Sequence, residues 1–276
     1  MKIPKPILIT AKLLAIISSK LATAFAVKLF ITPIKHKTPK RELHMETESK
    51  KSMVFLPKLN KKIRVFEYGQ SPKKILLVHG WSGRGTQLVK FADELLIAGY
   101  SVISFDAPAH GKSPGNSTIM IEFIEAILEL ERKFGPFEGA VGHSLGGMSL
   151  LNAVKNHLNI NRLVIIGSGD KVPDIVDSFV SKIGLHPSIS KQMQNRFEKK
   201  YGKKMTAFDG SFAAQEVTIP VLVIHDENDL EIPVSAGIHI HKNLKNGQLL
   251  ITKRLGHRKI LGDSEVVKST IQFLTQ

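Results

Sequence analysis

The residues best suited to chemistry lie in "GHSLGG", residues 142–147. A single hydroxyl, Ser144, stands between Gly142 and Gly146. Glycines two residues to either side permit a turn too sharp for a Cβ and let neighbouring backbone approach closely. The run Gly139–Gly142 reads as the end of a buried strand, and Leu145–His157 reads as a helix. A serine on a strained strand-to-helix turn presents its oxygen as a nucleophile. Such a hydroxyl needs a base, the base needs an orienting acid, and the developing oxyanion needs donors. Two later segments offer these groups. "HDENDLEIP" (225–233) carries Asp226 and Asp229, and "LGHRKI" (255–260) carries His257 behind Gly256. Asp226 is closer to its strand and suits a loop-ordering role, which favours Asp229 as the acid.

Positioning these groups requires strands that end beside one another. "KILLVHG" (74–80), "YSVISFD" (100–106), "RLVIIGS" (162–168), "VLVIHDEND" (221–229) and "GQLLITKR" (247–254) are strand-like runs, and Ile63–Tyr68 is another. Helical patterns fall between them near 86–98, 118–134, 145–157, 234–244 and 263–275. Wholly apolar strands alternating with helices specify a mainly parallel α/β sheet covered on both faces. Ligands bind such sheets at the carboxyl ends of strands, where Ser144 sits. Residues 169–216 interrupt the alternation. Ile189, Met193, Phe197 and Tyr201 form an apolar stripe there, which predicts a short helical lid.

The absence of cysteine excludes disulfides, thiolate metal sites and a cysteine nucleophile. No carboxylate–histidine cluster has metal-ligand spacing, so neither a metal nor another cofactor is expected. Net charge is +15, but residues 1–41 hold nine of the 39 Lys and Arg and no acid. The remainder carries +6, an ordinary surface that gives no support for nucleic-acid binding.

The segment Ile7–Ile31 is long and apolar but interrupted by Lys12, Lys20 and Lys28. A lysine at a bilayer centre costs about 2.5–3.5 kcal/mol on insertion scales, which argues against a spanning helix. Lys12 likewise breaks the apolar core that a secretory signal needs. The expectation is one basic amphipathic helix with Ile7, Leu14, Leu21, Phe25 and Leu29 on one face, ended by Pro33 and Pro39. It either docks on its own domain or lies on an anionic membrane surface. The division is therefore 1–50, helix and linker, and 51–276, the α/β domain. A cytoplasmic protein with peripheral membrane contact through residues 1–41 is the expected setting under the second alternative.

From residue 53 onward the chain resembles α/β-hydrolase-fold serine hydrolases of the esterase and lipase kind. The resemblance rests on His79-Gly80-Trp81, "FDAPAHGKS" (105–113), the Ser144 turn, "HDENDLEIP" and Gly256-His257. It implies a triad of Ser144, Asp229 and His257, with the amides of Trp81 and Leu145 as oxyanion donors. The implied reaction is cleavage of a carboxylic ester or thioester through an acyl-enzyme, on a small-molecule acyl substrate. An acyltransferase or peptidase could use the same groups, and a non-catalytic binding module could use the same fold. Ala107-Pro108 depart from the arginine-glycine pair of many relatives. His79 and His143 are expected to be structural hydrogen-bonders. His110, His225, His239 and His241 are expected at the surface, and Asp263 is expected to cap the last helix.

Overall fold

A computed structural model describes residues 3–276. Its eight strands are Lys50–Leu56 (β1), Lys61–Tyr68 (β2), Lys74–Val78 (β3), Ser101–Asp106 (β4), Gly139–His143 (β5), Arg162–Ile166 (β6), Val221–Asp226 (β7) and Gly247–Thr252 (β8). They form one sheet in the order β1-β2-β4-β3-β5-β6-β7-β8. The β1–β2 and β2–β4 pairs are antiparallel, and every other pair is parallel. The chain reverses direction across the sheet at β3, so the β3 and β5 ends form a switch point, where ligands bind in such folds.

The helices are Lys5–Ile17 (α1), Ser19–Phe30 (α2), Leu43–Glu48 (α3), Val89–Ile97 (α4), Met120–Phe134 (α5), Leu145–Lys155 (α6), Val172–Lys182 (α7), Pro187–Tyr201 (α8), Gly210–Ala214 (α9), Val234–Asn243 (α10), Gly256–Lys259 (α11) and Ser264–Thr275 (α12). The alternation of side chains along a strand divides the core in two. Leu76, Val78, Leu163 and Ile165 pack with α5, α6, α9 and α10. Ile75, Leu77, Val164 and Ile166 face the other way, onto α4 and α12. Central strands buried on both faces must be apolar throughout, and this explains their uninterrupted runs.

A third core stands apart from the sheet. It joins Ala11, Ala22 and Ala26 of α1 and α2 to Val176, Val180, Ile189, Met193 and Phe197 of α7 and α8. The interruption at 169–216 is therefore helical, and the N-terminal segment packs against it. That segment is a pair of helices rather than the single helix expected. Ser18 adopts an extended conformation (φ −164°, ψ 128°) and breaks the run between α1 and α2. Helices of 13 and 12 residues are about 20 Å long. A hydrocarbon core is about 30 Å thick. No helix among the described residues is long and apolar enough to cross a membrane. The expected apolar face is met in part: Leu14 and Phe25 pack against this core beside the fully buried Ala11, Ala22 and Ala26, whereas Leu21 is exposed. Lys50, expected in the linker, opens β1, because Val54 and Leu56 turn inward and recruit the preceding residues to the edge of the sheet.

Candidate active site

Ser144 lies between β5 and α6 with φ 53° and ψ −119°. A non-glycine residue at positive φ stores strain, which persists only where the surroundings over-determine the backbone. The glycines supply that constraint. A Cβ on Gly146 would lie 2.3 Å from the Val78 carbonyl oxygen, and one on Gly142 would lie 2.7 Å from the backbone of Gly146 and Gly147. The Ser144 N–H donates to the Ile166 carbonyl at 2.9 Å, which fixes the turn to the end of β6.

Asp229 and His257 meet beside this turn. His257 Nδ1 is 2.6 Å from Asp229 Oδ2, while Asp229 Oδ1 accepts the Glu231 and Ile232 N–H groups at 2.8 and 2.9 Å. Burial alone would raise the Asp229 pKa. The hydrogen bond from His257 and the two backbone donors outweigh it and hold the carboxyl below its usual range. The carboxylate is thus ionised and acts as an acceptor toward His257. Gly167 brings the two sides together: a Cβ there would lie 3.3 Å from His257 Nδ1 and 3.6 Å from Asp229 Oδ2. Among the described residues no hydrogen bond joins Ser144 Oγ to His257. Contacts of this kind often tighten only when substrate binds.

Asp226 acts on the loop that carries His257. Its carboxylate accepts N–H groups from Leu255 and Gly256 at 3.1 and 2.9 Å and the Thr252 hydroxyl at 2.7 Å. Gly256 takes φ +61°, which turns the chain so that His257 faces Asp229. The Asp263 side chain accepts the Glu265 and Val266 N–H groups at the start of α12.

Histidines organise the loop on the opposite side of Ser144. A Cβ on Gly80 would lie 3.0 Å from Ser144 Cβ, so the 80–83 backbone runs against the serine. His79 Nδ1–H donates to the Gly80 carbonyl at 2.7 Å, and its Nε2 accepts the Ala107 N–H at 3.0 Å. His110 Nδ1–H donates to Pro108, and its Nε2 accepts the Ser82 N–H at 3.0 Å. Each ring must be neutral to donate and accept in this way. Burial pushes the His110 pKa down to about 4 and the His79 pKa well below the ordinary value. The N–H groups of Trp81 and Leu145 have no acceptor among the described residues, so two donors remain free beside Ser144.

His110 and His225 are buried, contrary to the expectation of surface positions. His225 Nε2–H donates to Ile232 at 3.1 Å and lies 3.6 Å from Asp229 Oδ2, so it supports the loop of the acid. The position itself held the clue, because a histidine that closes the run Val221–Ile224 shares the burial of that run. His239 is exposed but lies 2.5 Å from Asp170. His143 Nε2–H donates to the His257 carbonyl at 2.9 Å. Burial, followed by the neighbouring His257, lowers the His143 pKa to about 3, so it remains a neutral brace.

Comparisons with known proteins bear on the fold and the family. A family model described as "Alpha/beta hydrolase family" matches residues 75–236, and one described as "TAP-like protein" matches 198–276. No curated protein sequence matches. An esterase from Pyrococcus furiosus superposes with a TM-score of 0.67 at 18% identity, covering 88% of this chain and 96% of that one. An esterase from Exiguobacterium antarcticum gives 0.63 at 18% identity, covering 82% and 99%. A bromoperoxidase from Bacillus anthracis gives 0.63 at 18% identity, covering 82% and 100%. At such identities the likeness concerns the fold, but the family model spans more than half of the sequence. The chain belongs to the alpha/beta hydrolase family.

Proposed function

We propose that the protein is a serine hydrolase that cleaves a carboxylic ester or thioester through an acyl-enzyme. The observation that carries this reading is the 2.6 Å pair of Asp229 and His257 beside a serine held at positive φ. In the proposed cycle His257 Nε2 takes the Ser144 proton as Oγ attacks the acyl carbon. The Trp81 and Leu145 N–H groups receive the developing oxyanion. Collapse breaks the bond to the alcohol or thiol, which leaves with the proton from His257. Water, deprotonated by the same imidazole, then releases the acid and restores Ser144. Asp229 holds the imidazole with Nδ1 protonated and stabilises its charged form.

An apolar acyl group suits the surroundings. A Cβ on Gly169 would meet Met148 Sδ, Ile175 Cδ1 and Ile232 Cδ1 within 4 Å. This apolar wall adjoins Ser168, whose Oγ donates to the Ser144 carbonyl at 3.3 Å. The eight basic residues of the lid, among them Lys171, Lys191 and Arg196, are exposed, as a solvated face requires. The test is a chain-length series of nitrophenyl esters assayed with the wild type and with Ser144→Ala. Turnover that the substitution abolishes supports the reading, and turnover that it leaves intact refutes it.

A further inference from the structure

The outer side of α1 is apolar and uncovered. Ile9, Leu13, Ile16 and Ile17 are 59%, 56%, 82% and 71% exposed. Their spacing of four, three and one residues places them on one side of a helix. The opposite side is occupied: Ala11 is fully buried in the core shared with the lid. The exposed row is therefore not the face that docks on the body. Leu21, half exposed, extends it onto α2. A contiguous apolar surface of this kind marks a binding site on a soluble molecule.

Charge identifies the occupant. Lys5, Lys12, Lys20 and Lys28 are exposed on the same two helices, and none is ion-paired among the described residues. At about 100° per residue, Lys5 and Lys12 border the apolar row of α1. The first 41 residues contain no acid at all. A second copy of the chain would bring the same lysines to the same face and would be repelled. An anionic bilayer supplies both complements, acyl chains for the isoleucines and lipid phosphate for lysines that reach outward along their stems.

We propose that the α1–α2 pair docks flat on an anionic membrane surface through Ile9, Leu13, Ile16 and Ile17, with the four lysines on lipid phosphate. Docking places the helix pair between the bilayer and the lid, because both helices bury their other side in the core shared with the lid and Thr23 Oγ1 donates to Gln192 Oε1 at 3.0 Å. It also ties the anchor to the serine site. Beyond α2, the Ile34 N–H donates to Ser82 Oγ and Lys35 Nζ donates to the Ser113 carbonyl, at 3.0 and 2.7 Å. The inference stands independently of the reaction proposed above.

Flotation of the full chain with phosphatidylglycerol or phosphatidylcholine vesicles tests it. Two double variants accompany the wild type: Leu13→Ser with Ile16→Ser, and Lys12→Glu with Lys20→Glu. All four side chains are exposed, so melting temperature and turnover of a short soluble ester serve as controls that do not move. The wild type should float with phosphatidylglycerol at low salt. Each double variant should weaken partitioning roughly tenfold or more, the first by removing apolar area from the acyl region and the second by replacing attraction to lipid phosphate with repulsion. High salt should weaken it similarly. No flotation of the wild type, equal flotation with both lipids, or flotation that survives both double variants would overturn the proposal. A concentration-dependent dimer that Leu13→Ser/Ile16→Ser dissolves, without vesicle binding, would assign the face to a second copy and would also overturn it.

Discussion

The strand-end site and the N-terminal helix pair are held in place by opposite means. Around Ser144 nearly every backbone turn is pinned by a buried polar group: Asp226 and His143 on the His257 loop, His79 and His110 on the 80–83 loop. The helix pair is held by alanines and lid side chains packed together, and among the described residues Thr23 to Gln192 is its one side-chain hydrogen bond to the lid. Directional bonds fix atoms to a fraction of an ångström, which transition-state stabilisation requires. Apolar packing fixes a surface and tolerates small shifts, which suffices for a lid and its anchor. Substitutions in the first region should therefore cost rate, and those in the second should cost stability or surface binding.

The largest effect expected is in the first region. Ser144→Ala should leave the fold intact and lower kcat by several orders of magnitude, measured with a nitrophenyl ester. Asp229→Asn should lower kcat by about 10⁴-fold, because an amide in place of the carboxylate favours the wrong imidazole tautomer. Asp226→Asn separates placement of the loop from catalysis. Its amide would turn donors toward the N–H groups of Leu255 and Gly256, so melting temperature should fall with a smaller loss of kcat. The opposite ranking of the two aspartates would exchange their roles.

In the second region, Ala22→Leu should overpack the core between α2 and the lid and cost about 1–3 kcal/mol in denaturant unfolding. Turnover of a short soluble ester should change little. A large loss of kcat would show that the helix pair sets the geometry at Ser144 and would break the contrast.

The smallest effect concerns acid. His110 has a pKa of about 4 when folded, against an ordinary value of 6.5. An unfolded chain therefore takes up this proton first. The stability contributed is complete above about pH 6.5 and is lost as the pH falls through about 4. His110→Gln should flatten the fall in melting temperature across that interval. An unchanged slope would show that His110 is not responsible.

Much of this was legible in the chain itself, for physical reasons. The parallel strands are buried on both faces, so their apolar runs are unbroken, and the elbow glycines leave no room for a Cβ. The asymmetry between Asp226 and Asp229 followed from distance to the strand end. The break at Ser18 was less visible, since an apolar run reads alike in one helix or two until the packing partner is known. The partner is the lid, distant in sequence, against which Ala11, Ala22 and Ala26 pack together with the partly buried Leu14, Phe25 and Phe30. The burial of His110 was not legible, because its ring is satisfied by the Pro108 carbonyl and the Ser82 N–H, backbone groups whose positions no side-chain pattern records.

The central claim is that Ser144 is the nucleophile of a hydrolase, and covalent labelling tests it most directly. The wild-type protein treated with a fluorophosphonate probe should carry the adduct on the peptide that contains Ser144. Ser144→Ala should remain unlabelled, and Asp229→Asn should label far more slowly. An adduct on another residue, or labelling of Ser144→Ala at the wild-type rate, would contradict the account.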